Sequence, residues 1–102
     1  MKHASAKTLL TLEPLLTHIR GIDGLVERKP GIFYRGSSAF LHFHEDASGL
    51  FADVKLNGAD FERMPVTTVQ ERRIFWQLVR SGVARRLSIS RSTAKALRGN
   101  AT

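Results

Sequence analysis

Residues 25–66 alternate apolar and polar side chains, and turn-forming residues break the alternation at short intervals. LVERK runs into Pro30-Gly31, GIFYR into Gly36-Ser37, AFLHFHE into DASG and LFADVKL into NGAD, and FERMPV closes the series. Period-two alternation between turns is the signature of half-buried strands joined by tight connections. Proline cannot donate to a sheet ladder, so Pro65 suits an edge strand. The expectation is an antiparallel meander of four or five strands. Such a sheet carries one apolar face, which other elements must cover.

The flanks supply the cover. Leu9, Leu12, Leu16 and Ile19 recur at helical spacing, with Pro14 suited to a first turn, Thr11 as N-cap and Gly21 as the stop. At the other end Val69, Phe75, Trp76, Val79, Val83 and Leu87 share one side of a helix. Thr67-Thr68 followed by Gln70-Glu71 offers a capping box in either register. Arg72 falls inside the apolar stripe, where snorkelling would accommodate it. Ile74 and Leu78 point elsewhere and suggest a contact such as a dimer partner. The predicted fold is a single α+β domain over residues 1–87, with an N-terminal and a C-terminal helix packed on one face of the sheet, and residues 88–102 as a basic tail.

Register decides which side chains share a face, because a one-residue slip exchanges the two sides. With DASG as the turn, His44 faces Phe51, Phe43 faces Ala52 and His42 faces Asp53. Leu41, Phe43, Ala52, Val54 and Leu56 then line the apolar side. With Gly36-Ser37 as a two-residue loop, Phe33 faces Phe40, Ile32 and Tyr34 join the apolar side, and Phe33 and Arg35 join the histidine side. The predicted binding face is therefore Phe33, Arg35, Phe40, His42, Phe51 and Asp53, a mixed aromatic and polar surface suited to self-association or to another protein.

His42 and His44 sit two residues apart on one strand face, a spacing that can chelate one divalent metal, with Asp53 across the hairpin as a third ligand. The simpler expectation is a His42–Asp53 cross-strand pair, with no cofactor. Glu45 points to the opposite side and Asp46 makes the turn. No serine nucleophile motif or phosphate-cradling glycine loop is present, so an enzyme is not the expected reading.

Charge is uneven. Residues 1–71 hold eight Lys/Arg against nine Asp/Glu, whereas residues 72–102 hold eight Lys/Arg and no acid. An acid-free basic end points to DNA or another polyanion. VARRLSISRSTAKALRGN, residues 83–100, resembles the helix-turn-helix of bacterial regulators of the lactose-repressor type, with Val83, Ala84, Leu87, Ile89 and Leu97 at packing positions and Ser88 in the place of the turn glycine. That resemblance implies DNA contacts from Arg85, Arg86, Arg91, Ser92, Lys95 and Arg98. The run GIFYRGSSAFLHFHEDASGLFADVKL looks like small bacterial proteins of unassigned function and like small luciferase-like domains with a G-x-x-F-R … H-x-H pattern; the likeness implies a compact α+β domain and no catalytic residue.

The absence of cysteine excludes disulfides and thiolate metal sites. Apolar runs fall far short of a membrane span, and the leucines near the start are interrupted by Glu13 and Pro14 with no small-residue cleavage site after them, so no membrane association and a cytoplasmic location are expected. Three functional expectations result: a non-enzymatic binding or self-association module working through the mixed sheet face, DNA binding through residues 83–98, and metal binding at the hairpin histidines.

Overall fold

The alternating segment forms a sheet close to the predicted one. The structure, a computed structural model, describes the backbone of residues 2–97 and the side chains of residues 2–83. The elements in order are β1 (Lys2–His3), α1 (Ala6–Thr11), α2 (Glu13–Arg20), β2 (Leu25–Lys29), β3 (Ile32–Arg35), β4 (Ser38–Asp46), β5 (Gly49–Val54), β6 (Glu62–Pro65) and α3 (Val69–Leu97). Strands β2 to β6 pair antiparallel with their sequence neighbours, and β1 pairs with β4 as a sixth strand. The protein is thus an α+β domain with an antiparallel sheet, and β1 is the strand that alternation does not reveal.

The β4–β5 ladder keeps the expected register: His44 faces Phe51, Phe43 faces Ala52 and His42 faces Asp53. The β3–β4 ladder does not. Tyr34 faces Ala39, but Phe33 faces Leu41, so Phe40 is an extra residue and the register shifts there. A bulge of this kind sets two residues against one and reverses the facing of the residues beyond it. Phe33 and Phe40 are accordingly buried in the core instead of standing beside the histidines, and Arg35 shares Phe33's side of the strand by alternation. Ile32, expected on the apolar side, pairs with His42 and joins the histidine side.

The core collects Leu12, Leu15, Leu16 and Ile19 from the N-terminal helices, Phe33, Leu41, Phe43, Ala52 and Val54 from the sheet, and Phe75, Val79 and Val83 from α3. The N-terminal helix is in two pieces. Ser5 caps α1 by accepting from the Thr8 amide, α2 begins after Leu12 with Pro14 in its first turn, and Gly21 ends it. Thr11 is therefore not the cap: it closes α1, and α2 has no side-chain cap. At the other end, the Thr68 hydroxyl accepts from the Glu71 amide at 3.0 Å, and the Glu71 carboxylate accepts from the Thr68 amide at 2.9 Å, a reciprocal capping box. Arg72 does not extend to solvent along the stripe; its Nη1 donates to the carbonyls of Val66 and Thr67, fastening the helix start to the end of β6.

The α3 backbone continues unbroken to Leu97 and passes through Ser88, where the helix-turn-helix resemblance places a turn. Residues 83–97 contain no glycine or proline to stop a helix, which accounts for the continuity. No helix among the described residues is long and apolar enough to cross a membrane.

Candidate functional site

The face opposite the core gathers three of the chain's imidazoles. His42 and His44 lie one strand repeat apart on β4 and project from the same side. Pairing of β1 with the end of β4 sets His3 opposite His44. The three residues each offer one ring nitrogen, and these nitrogens lie within 4.8 Å of one another. The rings of His42 and His44 meet edge-on with centroids 4.6 Å apart, and His3 lies 4.8 Å from His44 and 5.7 Å from His42.

Glu45, the neighbour of His44, turns to the other side, as its place in the alternation requires. It accepts from the Ser5 amide at 3.1 Å and from the Thr8 hydroxyl, so it ties the start of α1 to β4 and thereby holds β1 in place. Asp46 stays in the turn, accepting from the Ser48 amide at 2.8 Å. Neither acid reaches the histidines.

Asp53 does. It is only 7 % exposed and lies across the ladder from His42, yet its nearest imidazole is that of His44, with Nε2 3.1 Å from Oδ2. The expected His42–Asp53 side-chain pair is replaced by this diagonal contact. Both carboxylate oxygens are also engaged by Arg63 of β6, at 2.8 and 2.9 Å. This two-pronged contact holds the Asp53 carboxyl below its usual pKa range and keeps it ionised. Asp53 is thus a charged neighbour of the cluster, tied to Arg63, and His3 is the cluster's third imidazole. Phe61 packs edge-on against His42 with centroids 4.8 Å apart, and the Lys55 ammonium lies 4.8 Å from the Phe61 ring centre.

The cluster is crowded. His44 Nε2 lies 2.6 Å from His42 Nδ1 while also facing Asp53, and a single N–H can serve only one of them. His44 Nδ1 is buried with no hydrogen-bond partner. Burial pulls both His42 and His44 below the ordinary imidazole pKa; the charge of His44 adds to the effect at His42, and Asp53 opposes it at both. His3 is exposed, which leaves the cluster open to solvent on one side.

Of the predicted binding face, His42, Phe51 and Asp53 are on this surface, whereas Phe33, Arg35 and Phe40 belong to the other side of their strands or to the core. Of the predicted metal set, His42 and His44 converge and Asp53 adjoins them. Residues His3, Arg63 and Phe61 complete the site and were not foreseen. The alternation of FERMPV placed Arg63 on a strand without naming its partner, and nothing local marks His3. The nucleic-acid candidates Arg85, Arg86, Arg91, Ser92 and Lys95 lie on the distal part of α3, where the backbone alone is described, and Arg98 lies outside the described residues. No family model, curated protein or solved structure matches this chain.

Proposed function

We propose that this domain binds a divalent transition-metal ion through His3, His42 and His44, with the Asp53–Arg63 pair beside the site. The observation that carries the reading is the convergence of three ring nitrogens, from two separate strands, within 4.8 Å. Zn–N bonds of about 2.1 Å place tetrahedral donors about 3.4 Å apart. The cluster brackets that spacing: the closest His42–His44 nitrogens, 2.6 Å apart, would open slightly, and all three donors already lie within 4.8 Å of one another. An ion among the three replaces the crowded nitrogen–nitrogen approach by coordination. Imidazole donors suit zinc, nickel and copper better than magnesium or calcium. Three protein ligands leave a further position for water or an exogenous donor, the arrangement of an open site. The negative charge of Asp53 offsets part of the ion's charge without entering the coordination shell.

Histidine ring signals followed by nuclear magnetic resonance during zinc addition test this. The chain has four histidines, and His18 stacks on Trp76 away from the cluster, so it is an internal control. Saturable shifts at His3, His42 and His44 with His18 unmoved are expected. His44→Ala and His3→Ala should each weaken zinc binding by more than the roughly 10–100-fold typical of losing an outer-shell partner. Equal response of all four histidines, or unchanged affinity in His3→Ala, removes the three-histidine site.

A further inference from the structure

On the helical side of the domain, a groove of about 420 Å³ lies between α2 and α3. Its walls are mostly apolar: Pro14 and Leu15 from α2, Val69 and Trp76 from α3. Trp76 is half-buried and stacks on His18, with centroids 5.2 Å apart and planes at 30°. The charged part of the lining is cationic. Arg72 and Arg73 contribute to it, no acidic residue does, and the Arg80 guanidinium lies 5.8 Å from the Trp76 ring centre. Glu13, next to Pro14 in the chain, is held by Arg20 at 2.6 Å. Arg72 is fixed by its bonds to the Val66 and Thr67 carbonyls, while Arg73 makes no ion pair among the described residues.

An apolar slot with a charge of one sign at its rim selects a ligand of matching shape: an apolar body ending in an anion. The volume falls in the range of small-molecule sites, about 300–1,000 Å³. We infer that this groove binds a small amphipathic carboxylate, its hydrocarbon portion against Leu15, Pro14, Val69 and Trp76 and its carboxylate on Arg73. One face of the indole is already taken by His18, so a slim aliphatic body fits better than a stacked aromatic one. The inference is independent of the metal site, which lies on the other face of the sheet.

Trp76 is the chain's single tryptophan, so its fluorescence reports this groove alone. Titration of the full chain with decanoate, kept below its micellar concentration, should give a saturable change in Trp76 emission. Decanol, equal in length and uncharged, should bind at least about tenfold more weakly, the factor expected for losing one charge-assisted hydrogen bond. Arg73→Gln should lose the preference for the acid over the alcohol, and Arg73→Lys should keep part of it. Arg73 is exposed, so circular dichroism should confirm an unchanged fold in both variants. The inference is overturned by the absence of saturable change, by equal affinity for acid and alcohol, or by an Arg73→Gln variant that still prefers the acid. It is likewise overturned if Trp76 becomes shielded as protein concentration rises and sedimentation shows a dimer, because a second copy then fills the groove.

Discussion

Replacing Phe33 with alanine distinguishes two registers of one hairpin. In a regular ladder through Gly36-Ser37, Phe33 faces Phe40 and shares the open face with the histidines. Truncating an exposed side chain in such a place changes stability by no more than about 0.5 kcal/mol. With Phe40 bulged, Phe33 pairs with Leu41 and is fully buried, at 0 % exposure. Removing the ring then costs its transfer free energy and leaves a cavity against Leu41 and its neighbours. For a buried phenylalanine the total is about 3–5 kcal/mol. Against a whole-domain stability of about 5–15 kcal/mol, that is a large fraction. At roughly 4–8 °C per kcal/mol for a domain of this size, the midpoint of thermal unfolding should fall by more than about 12 °C. Urea unfolding of the parent and Phe33→Ala, followed in parallel by circular dichroism and by Trp76 emission, measures the loss directly, provided the m-value is unchanged. Phe51→Ala, on the half-buried histidine face, is the control and should cost distinctly less. A loss below about 1 kcal/mol at Phe33 with an unchanged m-value refutes the bulged register and returns this ring to the open face.

Two further outcomes are expected. Glu27 accepts from Arg20 at 2.6 Å and from the Gly31 amide at 2.9 Å, and these contacts, Arg20 foremost, hold its carboxyl below the usual range. A depressed folded pKa means that the stabilisation is present above the ordinary carboxylate value and is lost as pH falls through the folded one. Glu27→Gln should therefore cost about 1 kcal/mol near neutrality and flatten the acid limb of a stability–pH curve, and an acid limb of unchanged slope contradicts the assignment. Gly49 has φ of +147°, and a Cβ there would collide with Thr67 Oγ1, the atom that bonds the Leu50 amide. Gly49→Ala should destabilise by about 1–3 kcal/mol, and the cost should shrink in a Thr67→Ala background, where backbone strain alone remains; thermal unfolding of the four-member cycle checks it.

The strands were legible because alternation and turn chemistry agree. Gly36, with its positive φ of 63°, begins a two-residue loop between Arg35 and Ser38, as the residue types require. The bulge was not legible, because Phe40 and Leu41 are both apolar. Inserting one residue inside an apolar pair leaves no interruption in the pattern, while it reverses every face assignment before it. The β4–β5 register survived because its two faces differ sharply in polarity, so a slip would have mixed them. His3 escaped notice for another reason: a strand of two residues has no periodicity, and its partner His44 is distant in sequence. Arg72 looked like an intruder in an apolar stripe because helical periodicity says nothing about the carbonyls at the end of a preceding strand. The single helix through Ser88 differs from the resemblance because a motif match records residue types at positions, whereas continuity depends on the absence of a helix breaker between them.

Within the sheet, every pairing except that of β1 joins strands adjacent in sequence, so the meander can form through short loop closures. Bringing His3 to His44 closes a much longer loop, and that entropy must be met before the third imidazole arrives. Under the proposed metal reading, an ion present during folding would meet His42 and His44 as a hairpin chelate first, and would gain His3 only when β1 docks on β4. In that order of assembly the proposed ion would fasten the N-terminal strand late, and the sheet would form without it as a template.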